Sequence, residues 1–97
     1  MTITKKQDGT NFEFILAGRL DTATAPMLKE ELGQIPGDIE KLTFDFSDLE
    51  YISSAGLRIM LLAKRTVKTG KVTIKNANDL VKEVFEVTDF TNLFDFE

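Results

Sequence analysis

Ser47, Ser53 and Ser54 are the three serines of the chain, and all of them fall in the stretch Asp45-Phe-Ser-Asp-Leu-Glu-Tyr-Ile-Ser-Ser-Ala-Gly-Leu57. A hydroxyl can act as a nucleophile beside a base, accept a phosphoryl group from another protein, or cap a helix. The first role lacks its partners. His and Cys are both absent, which removes imidazole bases, thiolate nucleophiles, disulfides and the usual zinc ligands. No Gly-rich phosphate loop of the Walker type is present, and nothing in the sequence places a Lys or Asp beside Ser54 as a base. No catalytic residue and no cofactor are expected, so the chain reads as a binding protein rather than an enzyme.

Ser53 and Ser54 stand where an alternating strand pattern gives way to a helical one, which places them at a helix N-terminus. There the unpaired backbone N–H groups and the positive dipole end favour an anion, and a phosphoryl group on a hydroxyl at this point would meet those donors. The plainer reading makes one serine the N-cap. The two are compatible, since one serine can cap while its neighbour points outward. Gly56 is expected to keep the first turn slim enough for another protein's backbone to approach. Asp45, Asp48 and Glu50 invite a metal or acid/base reading. However, Asp45 falls on the strand face opposite Phe44 and Phe46, and Asp48-Leu-Glu50 reads as a solvated turn, so no metal is expected.

The elements that position these residues follow from periodicity. Phe12, Phe14 and Leu16 alternate with Glu13, Ile15 and Ala17 as a strand closed by Gly18, preceded by a shorter strand over Thr2 to Lys6. Asp8-Gly9 between them suits a hairpin turn. In Asp21-Thr-Ala-Thr-Ala-Pro26, Thr or Asp can cap a helix whose Leu28, Leu32 and Ile35 face inward and which stops near Gly33. Leu42, Phe44 and Phe46 mark a second alternating strand. A helix over Ala55 to Lys68 follows, with Ala63, Val67, Met60 and Ile59 centring its apolar arc and Arg58, Arg65 and Thr69 opposite. Leu61 and Leu62 flank the basic arc. Lys64, Arg65 and Lys68 suit the negative end of its dipole, and Gly70 a left-handed stop. Val72-Thr-Ile74 gives a short strand, and Asn78 or Asp79 caps a last helix with Leu80, Val81, Val84 and Phe85 inward. Phe85, Phe90, Phe94 and Phe96 read as core and edge packing.

The order predicts an α/β fold with a small four- to five-stranded mixed sheet. It consists of an antiparallel N-terminal hairpin and then parallel β-α units, with helices mainly on one face because the strands alternate. Residues 1–97 form one domain, consistent with 97 residues, 42% hydrophobic and 29% charged. A net charge of −4 argues against nucleic acid as a partner, since phosphate backbones require clustered cations. No apolar run approaches the ~20 residues that span a bilayer, and Met1-Thr-Ile-Thr-Lys-Lys lacks a signal-peptide h-region. No direct membrane insertion and a cytoplasmic location are expected.

Ile52-Ser-Ser-Ala-Gly-Leu57 after Asp45-Phe-Ser47, together with Gly18-Arg-Leu-Asp21 and Thr24 upstream and Val87-Thr-Asp-Phe90 with Leu93-Phe94 downstream, resembles the STAS family over essentially the whole chain. This family comprises the sulfate-transporter and anti-sigma-factor-antagonist domains. The resemblance is strongest to stand-alone bacterial anti-anti-sigma factors. It implies binding to a serine-kinase anti-sigma factor, release of the sigma factor, and inactivation when that kinase phosphorylates a serine at the start of the second helix. It also brings a PP2C-type phosphatase among the partners. By position the phosphoacceptor is Ser54, with Ser53 as the fallback. Ser53 stands where many members have Asp, and Ala55 where many have Ser or Thr. Asp21 matches an acidic residue near the acceptor, and Asp89 replaces a common Gly in the late turn, a swap that Asp tolerates. The expected partner surface comprises Asp21, Thr22, Thr24, Tyr51, Ser53, Ala55, Gly56, Leu57, Arg58, Leu61, Leu62 and Arg65. The family's breadth implies two other roles: an unphosphorylated scaffold subunit of a signalling or lipid-transport complex, and a nucleotide-binding module.

Overall fold

A computed structural model describes residues 1–67 and 69–97; Lys68, expected near the end of the second helix, lies outside the described residues. Strand β1 (Thr2–Asp8) runs antiparallel to β2 (Asn11–Leu20), with Thr2 opposite Ala17 and Asp8 opposite Asn11. Gly9 turns this hairpin at φ 61°, the left-handed conformation that an Asp-Gly pair adopts most readily. Strand β3 (Lys41–Ile52) lies parallel to β2, β4 (Val72–Lys75) parallel to β3, and β5 (Asp95–Phe96) parallel to β4. The strands therefore stand in the order β1-β2-β3-β4-β5. Helices α1 (Ala25–Leu32), α2 (Ser54–Thr66) and α3 (Asp79–Val87) make the connections, with a 3₁₀ turn over Thr91–Leu93 before β5. The expected mixed sheet is present.

Alternation in the strands decides which face is covered. Phe12, Phe14, Leu16, Leu42, Phe44, Phe46, Val72 and Ile74 are buried in one cluster with Leu28 and Leu32 of α1, Met60 and Ala63 of α2, and Val81 and Phe85 of α3. The intervening Glu13, Ile15, Thr43, Asp45 and Lys75 are only half-buried, and Glu13 pairs with Lys75 at 3.2 Å across that open face. All three helices thus share one side of the sheet. Phe14 stacks on Phe44 with ring centroids 5.5 Å apart, and Phe85 meets Phe94 and Phe96 edge-on at 5.6 and 5.3 Å. The Phe-rich tail is packing, as its composition suggested.

Several expectations need correction. Asp48-Leu-Glu50 is strand, not turn: β3 continues to Ile52, with Leu49 buried and Asp48 and Glu50 exposed. The alternation fails there because β3 carries two extra residues against β2, one between the Ile15/Asp45 and Ala17/Asp48 pairs and one between Gly18/Leu49 and Arg19/Tyr51. Each bulge resets which side chain faces the core, so a period of two cannot be read through it. For the same reason β2 does not close at Gly18 but runs to Leu20, with Gly18 at φ 100° beside the second bulge. Helix α2 starts one residue earlier than expected and ends at Thr66; Val67 is extended, so Gly70, although left-handed at φ 69°, is not its stop. Ile35 lies beyond the end of α1 and is half-buried. On α3, Val81 and Phe85 are buried, whereas Val84 is half-buried and Leu80 is 52% exposed. Leu80 lies about 100° round the helix from Val81 and clears the sheet.

Candidate functional site

The serine pair sits where β3 ends and α2 begins, at the C-terminal edge of the parallel strands. Ser53 is extended (φ −102°, ψ 177°), its N–H donates to the Leu20 carbonyl at 2.9 Å, and its Oγ accepts the Gly56 N–H at 3.4 Å. The Ser53 carbonyl accepts the Leu57 N–H at 2.9 Å, the first turn of the helix. Ser53 is therefore the N-cap, satisfying a donor that would otherwise be orphaned. Ser54 is the first helical residue and is exposed. The two serines divide the roles that the sequence left open between them.

Gly56 has a different reason from the one expected. It is buried, and a Cβ there would stand 2.8 Å from the Leu20 carbonyl oxygen and from Ile52 Cγ1. The missing side chain lets the first turn of α2 press on the end of β2; it does not open a path for a partner. Leu57 is also core, at 3% exposure, so Gly56 and Leu57 leave the expected docking surface. Arg58 and Arg65 are exposed as expected, and Ala55, Leu61 and Leu62 are half-buried.

Asp21 organises the neighbouring loop between β2 and α1. Its Oδ1 accepts the N–H groups of Ala23 and Thr24 at 3.0 and 3.1 Å, while its carbonyl accepts the Ala25 N–H at 2.8 Å. Thr24 is the N-cap residue of α1 but makes no side-chain cap bond. Its hydroxyl accepts the Asp21 N–H at 2.9 Å, and its one proton is within reach of both the Arg19 carbonyl at 2.7 Å and Asp21 Oδ1 at 3.2 Å. The Thr24 N–H is the main influence holding the Asp21 carboxyl below the ordinary carboxylate range. Partial burial opposes it, and the Thr24 hydroxyl, the Ala23 N–H and the Arg19 charge add to it. Thr22 projects into solvent.

Sequence reasoning missed Arg19. Its guanidinium carbon stands 4.5 Å from the centroid of the Tyr51 ring and its Nε 3.6 Å from Asp21 Oδ2. Arg19 lies opposite Tyr51 only because of the second bulge, so no spacing in the sequence announces the pair. It joins Tyr51 and Asp21, both expected at the site, into one surface. Asp45 is engaged structurally instead: its Oδ1 accepts the Ser47 N–H at 3.0 Å and Asn76 Nδ2–H at 3.2 Å. Burial alone would raise its pKa, but these bonds and Lys75 outweigh it and hold the carboxyl below the usual range. Among the described residues, no helix is long and apolar enough to cross a membrane.

The family model described as Mlab, STAS domain, matches residues 3–95. The chain belongs to the STAS domain family. A relative from Bordetella bronchiseptica described as an anti-sigma factor antagonist, BtrV, is 34% identical over 82 residues, covering 81% of this chain and 71% of the relative. The crystal structure of an anti-sigma factor antagonist from Mycobacterium paratuberculosis superposes with a TM-score of 0.86 at 21% identity, over 98% of this chain and 83% of that one. The phosphorylated form of the Bacillus cell-fate determinant SpoIIAA superposes with a TM-score of 0.75 at 15% identity, over 99% and 91%. These two structures share the fold of this chain. Within that fold, the described geometry gathers Asp21, Thr24, Tyr51, Ser53 and Ser54 at one edge of the sheet.

Proposed function

We propose that this STAS domain is an anti-sigma factor antagonist, a docking protein whose binding to a serine-kinase anti-sigma factor frees the sigma factor and is turned off by phosphorylation of Ser54. One observation carries the reading: Ser54 is exposed at the first residue of α2 while Ser53 already performs the cap. The hydroxyl at Ser54 is therefore free of structural duty. The relative described as an anti-sigma factor antagonist and the neighbour solved in a phosphorylated form support the same reading. A PP2C-type phosphatase restores the active form, and the exchange takes place in the cytoplasm.

The switch acts through charge at a surface that the partner covers. A phosphoserine adds about −1.5 to −2 charges and three acceptor oxygens. Buried against a partner without a cation, that dianion costs several kcal/mol, and about 4 kcal/mol is roughly a thousandfold in affinity. The unpaired N–H groups at the start of α2 receive the charge in the isolated domain, so the modified protein stays folded.

The test incubates the protein with the kinase-type anti-sigma factor and ATP, followed by phosphopeptide mapping and a binding titration. Phosphate on Ser54, its loss in Ser54→Ala, a roughly thousandfold weaker phosphoprotein and a smaller but clear weakening in Ser54→Asp are expected. An unmodified Ser54 with equal affinity for Ser54→Asp would instead leave a constitutive scaffold.

A further inference from the structure

A cleft of about 310 Å³ opens between α1 and α2 beside the serine pair. Ala25 and Pro26 on one side and Ala55 and Ile59 on the other give it apolar walls, and Lys29 and Arg58 stand on its rim. Among the described residues, Lys29 and Arg58 are, like most of the cations, in no ion pair with a carboxylate, and they are the two that line this cleft. On a chain of net charge −4, two uncommitted cations round an apolar cleft specify their complement: an apolar side chain next to a carboxylate.

Arg58 also belongs geometrically to Ser54. It follows four residues later on α2, the spacing at which side chains meet. At about 100° per residue it lies about 40° round the helix from Ser54 and about 60° from Ala55, between the hydroxyl and the cleft wall. Helical side chains lean toward the N-terminus, which puts the turn that carries Ser54 within reach of a long side chain at position 58. An anion N-terminal to a cation at this spacing is the favourable orientation.

We propose that Arg58 is the moving part of the switch. With Ser54 unmodified, Arg58 and Lys29 form the rim that takes an acidic, apolar-anchored segment of the anti-sigma factor; a phosphoryl group on Ser54 draws Arg58 out of the cleft into an ion pair. The inference rests on the function proposed above and deepens it. Phosphorylation then removes an attraction as well as adding a repulsion.

The experiment installs phosphoserine at position 54 by genetic code expansion, so it depends on no kinase. A phosphorus NMR titration follows the second ionisation of the phosphate in the wild-type background and in Arg58→Gln. A pairing arginine favours the dianion, so the ionisation is expected about 0.15 to 0.4 unit higher in Arg58→Gln; equal values overturn the proposal. The unmodified protein is then titrated, by amide shifts at Ala25, Lys29, Ala55 and Ile59, with 4-methylpentanoate and with its neutral isostere 4-methylpentan-1-ol. The acid is expected to move these amides more than the alcohol, and about threefold less tightly in both Arg58→Gln and the phosphoserine protein. Equal responses to acid and alcohol, or undiminished acid binding after phosphoserine is installed, overturn it. Arg58 is exposed, so its substitution leaves the fold in place. A kinase that ignores Ser54 would defeat the proposed function without touching these results.

Discussion

Helices α2 and α3 both leave the sheet through a polar N-cap, yet their first turns are built for different ends. The cap of α3 is tied on both sides: Asn78 Oδ1 accepts the Val81 N–H at 2.8 Å and Asn78 Nδ2–H donates to the Leu49 carbonyl at 3.0 Å. The next residue is Asp79, a fixed negative charge at the positive end of the helix. The cap of α2 is the longer 3.4 Å contact from Gly56 to Ser53, and its first turn holds no acid. Where α3 carries its own counter-charge, α2 presents a neutral hydroxyl. An N-terminus left without built-in negative charge is one where a removable charge can be tolerated, so reversibility is located at α2 and permanence at α3.

The comparison breaks most visibly at Gly56, because the first turn of α2 presses on the end of β2 with no side chain between them. Gly56→Ala places a methyl 2.8 Å from the Leu20 carbonyl oxygen, where backbone cannot give way as a flexible side chain can. A loss of about 2 to 3 kcal/mol is expected, which thermal melting registers as a drop of roughly 10 °C or more. Unchanged melting would mean that the helix start is loosely seated. The caps come next. Asn78→Ala removes two bonds, one of them to the Leu49 carbonyl, so about 1 to 1.5 kcal/mol is expected in urea unfolding, against about 0.5 to 1 for Ser53→Ala. The reverse order would undo the claim that α3 is the more firmly fixed of the two.

The start of α1 adds a pH handle. The Asp21 carboxyl is held below its unfolded value by bonds that it accepts as an anion, so its contribution to stability is present above the unfolded pKa and fades as pH falls through the folded one. Asp21→Asn is expected to melt below wild type at pH 7, with the gap closing below about pH 4. A gap that persists at low pH would show that the loop depends on the shape of the side chain rather than its charge.

Legibility in the sequence followed the regularity of the backbone. The hairpin, the alternating cores of β2 and β3 and the start of α2 each declare themselves by a period or a turn residue, and Asp89, at φ 60°, adopts the left-handed turn for which its family position called. The stretch Ser47–Glu50 did not, because two bulges shift its phase without leaving a residue signature. The Arg19–Tyr51 stack and the cleft between α1 and α2 were hidden for a related reason: each depends on register or on two helices meeting, neither of which is a property of local sequence. Gly56 was recognised as necessary but assigned to the wrong neighbour, since the sequence shows that a side chain is excluded and not what excludes it.

The smallest expected effect gives the finest test of the two helix starts. Ser54→Asp supplies α2 with the charge that α3 owns, and Asp79→Asn takes it from α3. A carboxylate in the first turn of a surface helix contributes about 0.3 to 1 kcal/mol at low ionic strength. Ser54→Asp should therefore stabilise the isolated domain by a few tenths of a kcal/mol, and Asp79→Asn should destabilise it by a similar amount. Both differences should shrink as salt is added, because Ser54 and Asp79 are exposed and the interaction is screened over about 10 Å at 0.1 M. Chemical denaturation in low and high salt reads both. If Ser54→Asp instead lost stability, the start of α2 would be unable to hold an anion, and phosphorylation there would act by unfolding the surface rather than by blocking a partner.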